Sequence, residues 1–242
     1  MEAIKIDSLT KRYKKIVAVD NLSLSINEGE LFSLLGVNGA GKTTTIKMLS
    51  CLTATTEGDA LLLGKSIKHE SAAVKSFIAV SPQETAIAPG LSVKENLELI
   101  CGVHGFNKEK KIAKIKELCA LLGLDEVISR KAGKLSGGWQ RRLSIAMALI
   151  SEPKILFLDE PTLGLDVIAR SDLWDIIRSL KGKVTIILTT HYMEEAEALS
   201  DRIAIMKDGK LLICDTAQSI KKTAGADTFE QAFVNIVKEV RK

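Results

Sequence analysis

The sequence of 242 residues has no apolar run near the ~20 residues that a membrane-spanning helix requires. Its N-terminus, Met1-Glu2-Ala3, also lacks the basic and then apolar pattern of a secretory signal peptide. These two absences predict a cytoplasmic protein, which would need a partner to act at a membrane. The length predicts a single domain, residues 1–242, with a substantial core and room for an inserted lobe.

Cysteine and net charge are also low. The four cysteines are widely separated and form no C-x-x-C pair, so free thiols are expected rather than zinc sites or disulfides. A net charge of +4 is too small to indicate nucleic-acid binding. The basic run from Lys108 to Lys116 predicts a solvated helix face, with contact to anionic lipid as the alternative.

What the sequence does contain is a phosphate-binding loop, because residues 36–43 read G-x-x-x-x-G-K-T. Its glycines let consecutive N–H groups point at an anion, and the helix that begins there adds its positive end. Lys42 can reach the β- and γ-phosphates, and the Thr43 hydroxyl can bind the accompanying Mg²⁺. A chance Gly-rich turn would lack the strand (Glu30–Leu35) and the helix (Thr44–Leu52) that the pattern predicts on either side. We therefore expect nucleoside triphosphate to bind at Gly36, Asn38, Gly39, Ala40, Gly41, Lys42, Thr43 and Thr44.

Two segments before this loop, Ala3–Leu9 and Val17–Ile26, alternate apolar and polar residues. That pattern is typical of half-exposed antiparallel strands. Tyr13 stands between them in a basic turn. It is either an ordinary surface aromatic or a flat face for a nucleobase.

After the loop helix, Gln83 closely follows the predicted strand Phe77–Val80. A polar residue there faces the crevice of an α/β sheet, where it can touch a metal or the attacking water, although a plain turn glutamine would look the same. From residue 84 onwards the pattern becomes helical, with a capping box at Ser92–Glu95 and an apolar stripe ending at Leu122. We interpret residues of about 84–150 as an inserted helical lobe.

Another anion-seeking helix end is predicted at Ser136, because Ser-Gly-Gly precedes a helix with apolar periodicity. A wholly apolar strand then ends in two carboxylates, Asp159 and Glu160. Asp159 can hold Mg²⁺ through water, and Glu160 can accept a proton from the attacking water. His191, at the end of the next buried strand, is either a γ-phosphate contact or a surface histidine.

Taken together, these segments resemble the ATP-binding cassette of ABC transporters from roughly Ile4 to Asp215. Residues 135–138 resemble the family's signature motif, and this motif discriminates the family because other phosphate-loop proteins lack it. The resemblance implies a mainly parallel α/β sheet, an N-terminal antiparallel β subdomain and the inserted helical lobe. The matching elements are Walker A (residues 36–43), the Q-loop (Gln83), the signature (residues 135–138), Walker B with its catalytic glutamate (residues 155–160), the D-loop (residues 165–166), the switch histidine (His191) and the adenine-stacking aromatic (Tyr13).

The resemblance also implies partners. Family members pair head to tail, so that Ser136 and Gly138 of one cassette close over the ATP held by the other. Two departures, Trp139 in the signature and Val167 after the D-loop, touch no residue with an expected catalytic role. ATP and Mg²⁺ are the implied ligands, with Thr43, Gln83 and Asp159 around the metal.

The segment that follows His191 resembles the exporter branch that handles drugs, sodium, lipids or polysaccharides. An integral-membrane permease is then implied, which would hold the chain on the inner face of the cell membrane. The apolar loop Thr85–Leu91 is a candidate for its docking, or it packs within the lobe. A soluble scaffold ATPase, such as an iron–sulfur assembly component, is the alternative function. A DNA-maintenance ATPase would need long heptad repeats before the signature, which this sequence lacks. A tail helix is predicted at about residues 228–241.

Overall fold

The computed structural model describes residues 1–239. Elements are numbered along the chain. The strands are β1 (Glu2–Tyr13), β2 (Ile16–Asn27), β3 (Leu31–Leu35), β4 (Glu57–Leu62), β5 (Lys65–Ser66), β6 (Ile78–Ser81), β7 (Ile155–Asp159), β8 (Thr185–Thr190), β9 (Arg202–Lys207) and β10 (Lys210–Asp215). The helices are α1 (Lys42–Leu49), α2 (Ser71–Lys75), α3 (Val93–Val103), α4 (Lys108–Leu122), α5 (Gly137–Leu149), α6 (Val167–Leu180), α7 (Met193–Leu199), α8 (Ala217–Thr223) and α9 (Phe229–Glu239).

The N-terminal strands form the predicted antiparallel sheet, in the order β2-β1-β4-β5. Strands β1 and β2 are longer than the two alternating segments, because irregular register lets pairing continue where alternation fails. Ser8 and Asn21 both have positive φ angles, of 51°, in these irregular parts.

The larger sheet has the order β10-β9-β3-β8-β7-β6, with antiparallel pairing only between β9 and β10 among the described residues. Strands β3, β7 and β8 are buried at every position. This explains why β3 and β7 are almost wholly apolar rather than alternating, and why β8 combines apolar residues with threonines only. The mainly parallel α/β fold is confirmed.

Helices α3 and α4 are inserted between β6 and α5, and two 3₁₀ turns (Asp125–Val127 and Ala132–Lys134) follow them. The capping box is present, since the Ser92 hydroxyl accepts from the Glu95 N–H and the Glu95 carboxylate accepts from the Ser92 N–H. Their apolar residues pack in one cluster that continues to β7 and β8. The limits of a separate lobe at residues 84–150, and of one domain over residues 1–242, therefore stay predictions.

Helix α1 differs from the prediction at both of its ends. Helix α1 begins at Lys42 rather than Thr44 and ends at Leu49, because Cys51 takes a left-handed conformation with φ of 56°. Helix α9 packs Phe229 and Phe233 into a core cluster that includes Ile203 of β9. Residues 240 and 241 of the predicted tail helix lie outside the described residues. Within residues 1–239, no helix combines the length and hydropathy that a bilayer crossing demands.

The loop Thr85–Leu91 is held from inside by Asn96, which is fully buried. Its side-chain oxygen accepts from the Ala88 N–H, and its amide donates to the carbonyls of Ala88 and Leu91. Ile87 packs partly into the core cluster, whereas Ala86 is exposed. The loop is thus part packing and part surface.

Candidate nucleotide-binding site

A cavity of about 760 Å³ lies at the carboxyl ends of the parallel strands. The strands β3, β8, β7 and β6 are neighbours in that order, so the loops that follow them meet at one edge of the sheet. This is the physical reason why residues far apart in sequence share one site. The sequence-predicted residues that line the cavity are Tyr13, Asn38, Gly39, Ala40, Gly41, Lys42, Thr43, Thr44, Gln83, Glu160 and His191.

The phosphate-binding loop between β3 and α1 requires glycine at two positions for different reasons. Gly41 has a φ of 100°, and a Cβ there would lie 2.4 Å from the Ala18 carbonyl oxygen. A Cβ at Gly36 would lie 2.3 Å from the Met206 carbonyl oxygen. Side chains at either position would push the loop off the strands beneath it.

Lys42 is 5% exposed, and its ammonium donates to the Gly36 carbonyl at 2.7 Å and to the Val37 carbonyl at 3.3 Å. It also lies 3.4 Å from Glu160 Oε1. The Lys42 side chain therefore folds back over the phosphate-binding loop, whose N–H groups are expected to bind phosphate. An anion in the loop would meet both the ammonium and the first turn of α1.

Oxygen donors suited to a magnesium ion lie directly beside this loop. The Thr43 hydroxyl donates to Asp159 Oδ1 at 3.1 Å, and the Thr189 hydroxyl donates to the same oxygen. Gln83 is exposed and lines the same cavity. No cluster of three or more metal-ligating His, Cys, Asp or Glu residues occurs in the described part of the chain. A hydroxyl and one carboxylate fit Mg²⁺, which usually keeps several waters and takes the rest of its ligands from substrate phosphates.

Glu160 is a buried carboxylate between two potential cations. Its oxygens lie 3.4 Å from Lys42 Nζ and 2.5 Å from His191 Nδ1. Its φ is 49°, a left-handed value that is unusual for glutamate, and its N–H bonds to the carbonyl and hydroxyl of Thr189. Backbone strain of this kind is typical of functional turns. The turn directs the carboxylate into the cavity rather than along the strand.

At the opposite wall, Tyr13 is 44% exposed and the N-terminal sheet adds Ile16, Val17 and Ala18. Lys11 Nζ lies 4.9 Å from the centre of the Tyr13 ring. Because Tyr13 is exposed and lines the cavity, a nucleobase could stack on its ring. This wall also includes Asp208, which the sequence pattern does not single out.

The signature residues are not brought to this cavity. Ser136 is exposed at the N-cap of α5, where its side chain makes no capping hydrogen bond. A Cβ at Gly138 would lie 3.1 Å from Ala169 Cβ, so this helix end packs tightly on the start of α6. Neither Ser136 nor Gly138 lines the cavity of the same chain.

Arg141, on α5, is a connecting residue that the sequence reasoning missed. It is 4% exposed and donates at 2.6 Å to the carbonyls of Pro82 and Gln83, with a longer 3.5 Å contact to the Glu160 carbonyl. Burial lowers the pKa of its guanidinium, and the charge of Asp159 opposes that effect. No local pattern signals this role, because Arg141 shares the buried face of α5 with Ser144 and Ile145 although a charged helix residue is expected to be exposed.

One protein-family model matches this chain over a long stretch. Residues 19–163, more than half of the chain, match the model described as ABC transporter. The chain belongs to the ABC transporter family. The resemblance inferred from its motifs is confirmed.

Curated relatives of this ABC transporter chain carry transport-related names. The doxorubicin resistance ATP-binding protein DrrA of Mycobacterium tuberculosis (strain H37Rv) is 40% identical over 94% of this chain and 69% of its own length. The probable multidrug ABC transporter ATP-binding protein YbhF of Escherichia coli is 37% identical, over 97% of this chain and 41% of its own length. The human phospholipid-transporting ATPase ABCA3 is 39% identical over 92% of this chain, which spans only 13% of that relative.

Solved structures agree on the fold. An ATP-binding subunit of an ABC transporter superposes with a TM-score of 0.85 at 24% identity, covering 97% of this chain and 99% of its own. An ATP-binding cassette solved as a dimer in a post-hydrolysis state, bound to ADP and Pi, gives a TM-score of 0.79 at 28% identity. That match covers 88% of this chain and 98% of the solved one.

Proposed function

We propose that the chain binds Mg·ATP and hydrolyses it as the nucleotide-binding subunit of a membrane exporter. The observation that carries this proposal is the cavity in which the phosphate-binding loop, Gln83, Glu160 and His191 face one another. Phosphoryl transfer needs positioning and charge stabilisation more than covalent chemistry. This cavity offers both.

In this proposal the loop N–H groups and Lys42 bind the phosphates, and Tyr13 stacks on adenine. Thr43, Asp159 and Gln83 hold the magnesium ion, which neutralises phosphate charge when bound. Glu160 orients the attacking water and takes its proton, and His191 contacts the γ-phosphate while fixing the Glu160 carboxylate. The 2.5 Å contact between Glu160 and His191 supports this pairing.

We further propose that two cassettes complete each other's sites. Ser136 is exposed and its hydroxyl makes no capping bond, so it is available to an anion on another molecule. The dimeric form of a similar cassette with ADP and Pi supports this arrangement.

Export, rather than another use of ATP, is supported by the names of relatives. DrrA is named for doxorubicin resistance, YbhF for multidrug transport and ABCA3 for phospholipid transport. The chain would then lie on the cytoplasmic face of the membrane, bound to an integral-membrane permease. The exposed part of the loop Thr85–Leu91, beside Gln83, is the proposed docking point.

The catalytic half of the proposal is tested with Glu160→Gln. Loss of a positioned base typically lowers the rate by ~10²–10⁴-fold, whereas the loop that binds ATP is unchanged. We expect ATP affinity to persist and an ATP-bound dimer to accumulate on size-exclusion chromatography. Glu194→Gln, a change at an exposed glutamate on α7, is the matched control and is expected to hydrolyse ATP normally. Parental activity in Glu160→Gln would contradict the assigned role.

The transport half is tested at the docking loop. Ala86→Glu places a charge on the exposed side of the loop, whereas Ile87 is unsuitable because it packs inward. We expect the variant to lose co-purification with a membrane permease while ATPase activity of the isolated chain is retained. Recovery of the tagged native protein only with soluble assembly proteins would favour the scaffold alternative and refute the exporter.

A further inference from the structure

Behind the cavity, Glu195 is a fully buried carboxyl that the proposed mechanism does not use. It lies in the first turn of α7, four residues after His191. Its Oε1 accepts from the Thr162 hydroxyl at 2.8 Å and from Trp174 Nε1 at 3.1 Å. Its Oε2 has no hydrogen-bond partner among the residues that the structure describes.

These contacts connect three elements around the cavity. Thr162 stands two residues after Glu160, in the turn between β7 and α6, and Trp174 lies on α6 itself. Glu195 follows His191 on α7. The segments that carry His191 and Glu160 are therefore connected twice, once by the direct contact of these two side chains and once by the hydrogen bond between Glu195 and Thr162.

The carboxyl is placed to act as a neutral acceptor rather than as an anion. No lysine, arginine or histidine within the described residues forms an ion pair with it. Burial is the main cause that raises the pKa of Glu195, and the neighbouring Glu160 adds to it. Arg141, which also acts on Glu195 electrostatically, donates its hydrogen bonds to backbone carbonyls instead. Burying a carboxylate without a cation costs more free energy than burying the protonated acid.

We propose that Glu195 is a positioning residue for ATP hydrolysis. Through its bonds to Thr162 and Trp174, it holds the turn that carries Glu160 in a fixed relation to the segment that carries His191. This inference rests on the proposed function. The group never touches nucleotide in this scheme. It acts on the geometry of Glu160 and His191, and small displacements of catalytic residues lower the rate strongly.

The test separates positioning from binding by steady-state kinetics of the full-length chain. Glu195→Leu removes the acceptor and places an apolar side chain in the same buried position. We expect kcat to fall by about tenfold or more, with the KM for ATP nearly unchanged, because the phosphate-binding loop is untouched. Glu195→Gln keeps the acceptor oxygen and is expected to restore kcat, and Glu194→Leu on the exposed side is the control.

If Glu195→Leu does not fold, the double variant Thr162→Val with Trp174→Phe removes both donors and is expected to give the same loss of kcat. Folding of each variant is checked by urea unfolding. The proposal is overturned if kcat survives removal of the acceptor or the donors, or if Glu195→Gln is as inactive as Glu195→Leu. It is also overturned if the loss is mainly in KM. An inactive parental chain would instead refute the proposed ATPase function.

Discussion

Replacing Arg141 with methionine tests how α5 is connected to the Gln83 loop. Arg141 donates two 2.6 Å hydrogen bonds, to the carbonyls of Pro82 and Gln83. Arg142, the next residue, instead pairs at 2.7 Å with Asp172, whose side chain is 54% exposed. Two adjacent arginines on one helix thus differ in burial and partners, and each serves as the control for the other.

The magnitude follows from these contacts. Hydrogen bonds from a charged donor contribute about 1.5–3 kcal/mol each, and Arg141→Met removes two. Part of this loss is offset, because methionine carries no charge to desolvate. We expect the free energy of unfolding to fall by about 2–3 kcal/mol for Arg141→Met and by about 0–1 kcal/mol for Arg142→Met.

Urea unfolding followed by circular dichroism measures the difference. With a slope of about 3 kcal/mol per M, the midpoint should fall by about 1 M for Arg141→Met and by much less for Arg142→Met. Hydrolysis should also slow in Arg141→Met, because the carbonyl of Gln83 loses its anchor. Equal midpoints for the two variants would show that the buried guanidinium does not hold the loop.

Two further predictions concern assembly and pH. Ser136→Arg and Lys42→Ala should each be inactive alone, yet a mixture should regain some ATPase activity, because one composite site of the heterodimer carries neither lesion; no recovery with heterodimers shown to form would refute sites shared between chains. Burial is the main cause that raises the pKa of Glu195, Glu160 adds to it, and the hydrogen bonds from Thr162 and Trp174 oppose it. The stability from this group is therefore complete below the ordinary glutamate pKa of about 4.3 and is lost as the pH rises through the folded-state value. Between about pH 4 and pH 7 the parental chain should therefore lose stability that Glu195→Gln retains, so the urea midpoint of the variant should rise relative to that of the parental chain. A difference between the two midpoints that stays constant with pH would show that the buried carboxyl is not neutral.

The chemistry of the cavity was predictable because phosphate binding restricts both residue type and spacing. Gly36, Gly41 and Lys42 serve a loop that few other sequences can form, and a wholly apolar strand such as β7 leaves few packing reasons for Asp159 and Glu160 at its end. The structure places these residues in or directly beside one cavity. Their individual roles in binding and catalysis stay predictions until the variants are measured.

What the sequence could not predict depends on tertiary contacts. The alternation rule ended β1 at Leu9, although pairing continues to Tyr13 across register shifts that no local pattern reports. Arg141 and Glu195 were missed for a related reason. A charged residue on a helix is expected to be exposed, and only the packed structure shows that these two turn inward toward backbone carbonyls and neutral donors.

The placement of Ser136 completes the case for a second cassette. Ser136 occupies the N-cap position of α5. The first turn of this helix is fixed, because Gly138 packs on Ala169 and Arg141 anchors the same helix to the Gln83 loop. A local rearrangement that carried Ser136 to the cavity of its own chain would break both contacts. Nearby, Val167 and Ile168 are 77% and 76% exposed, an arrangement that favours burial against another surface. The exposed helix end at Ser136, where anion binding is predicted, lies beside apolar side chains and is best matched by the nucleotide of another cassette, so each chain is expected to supply one half of two shared sites.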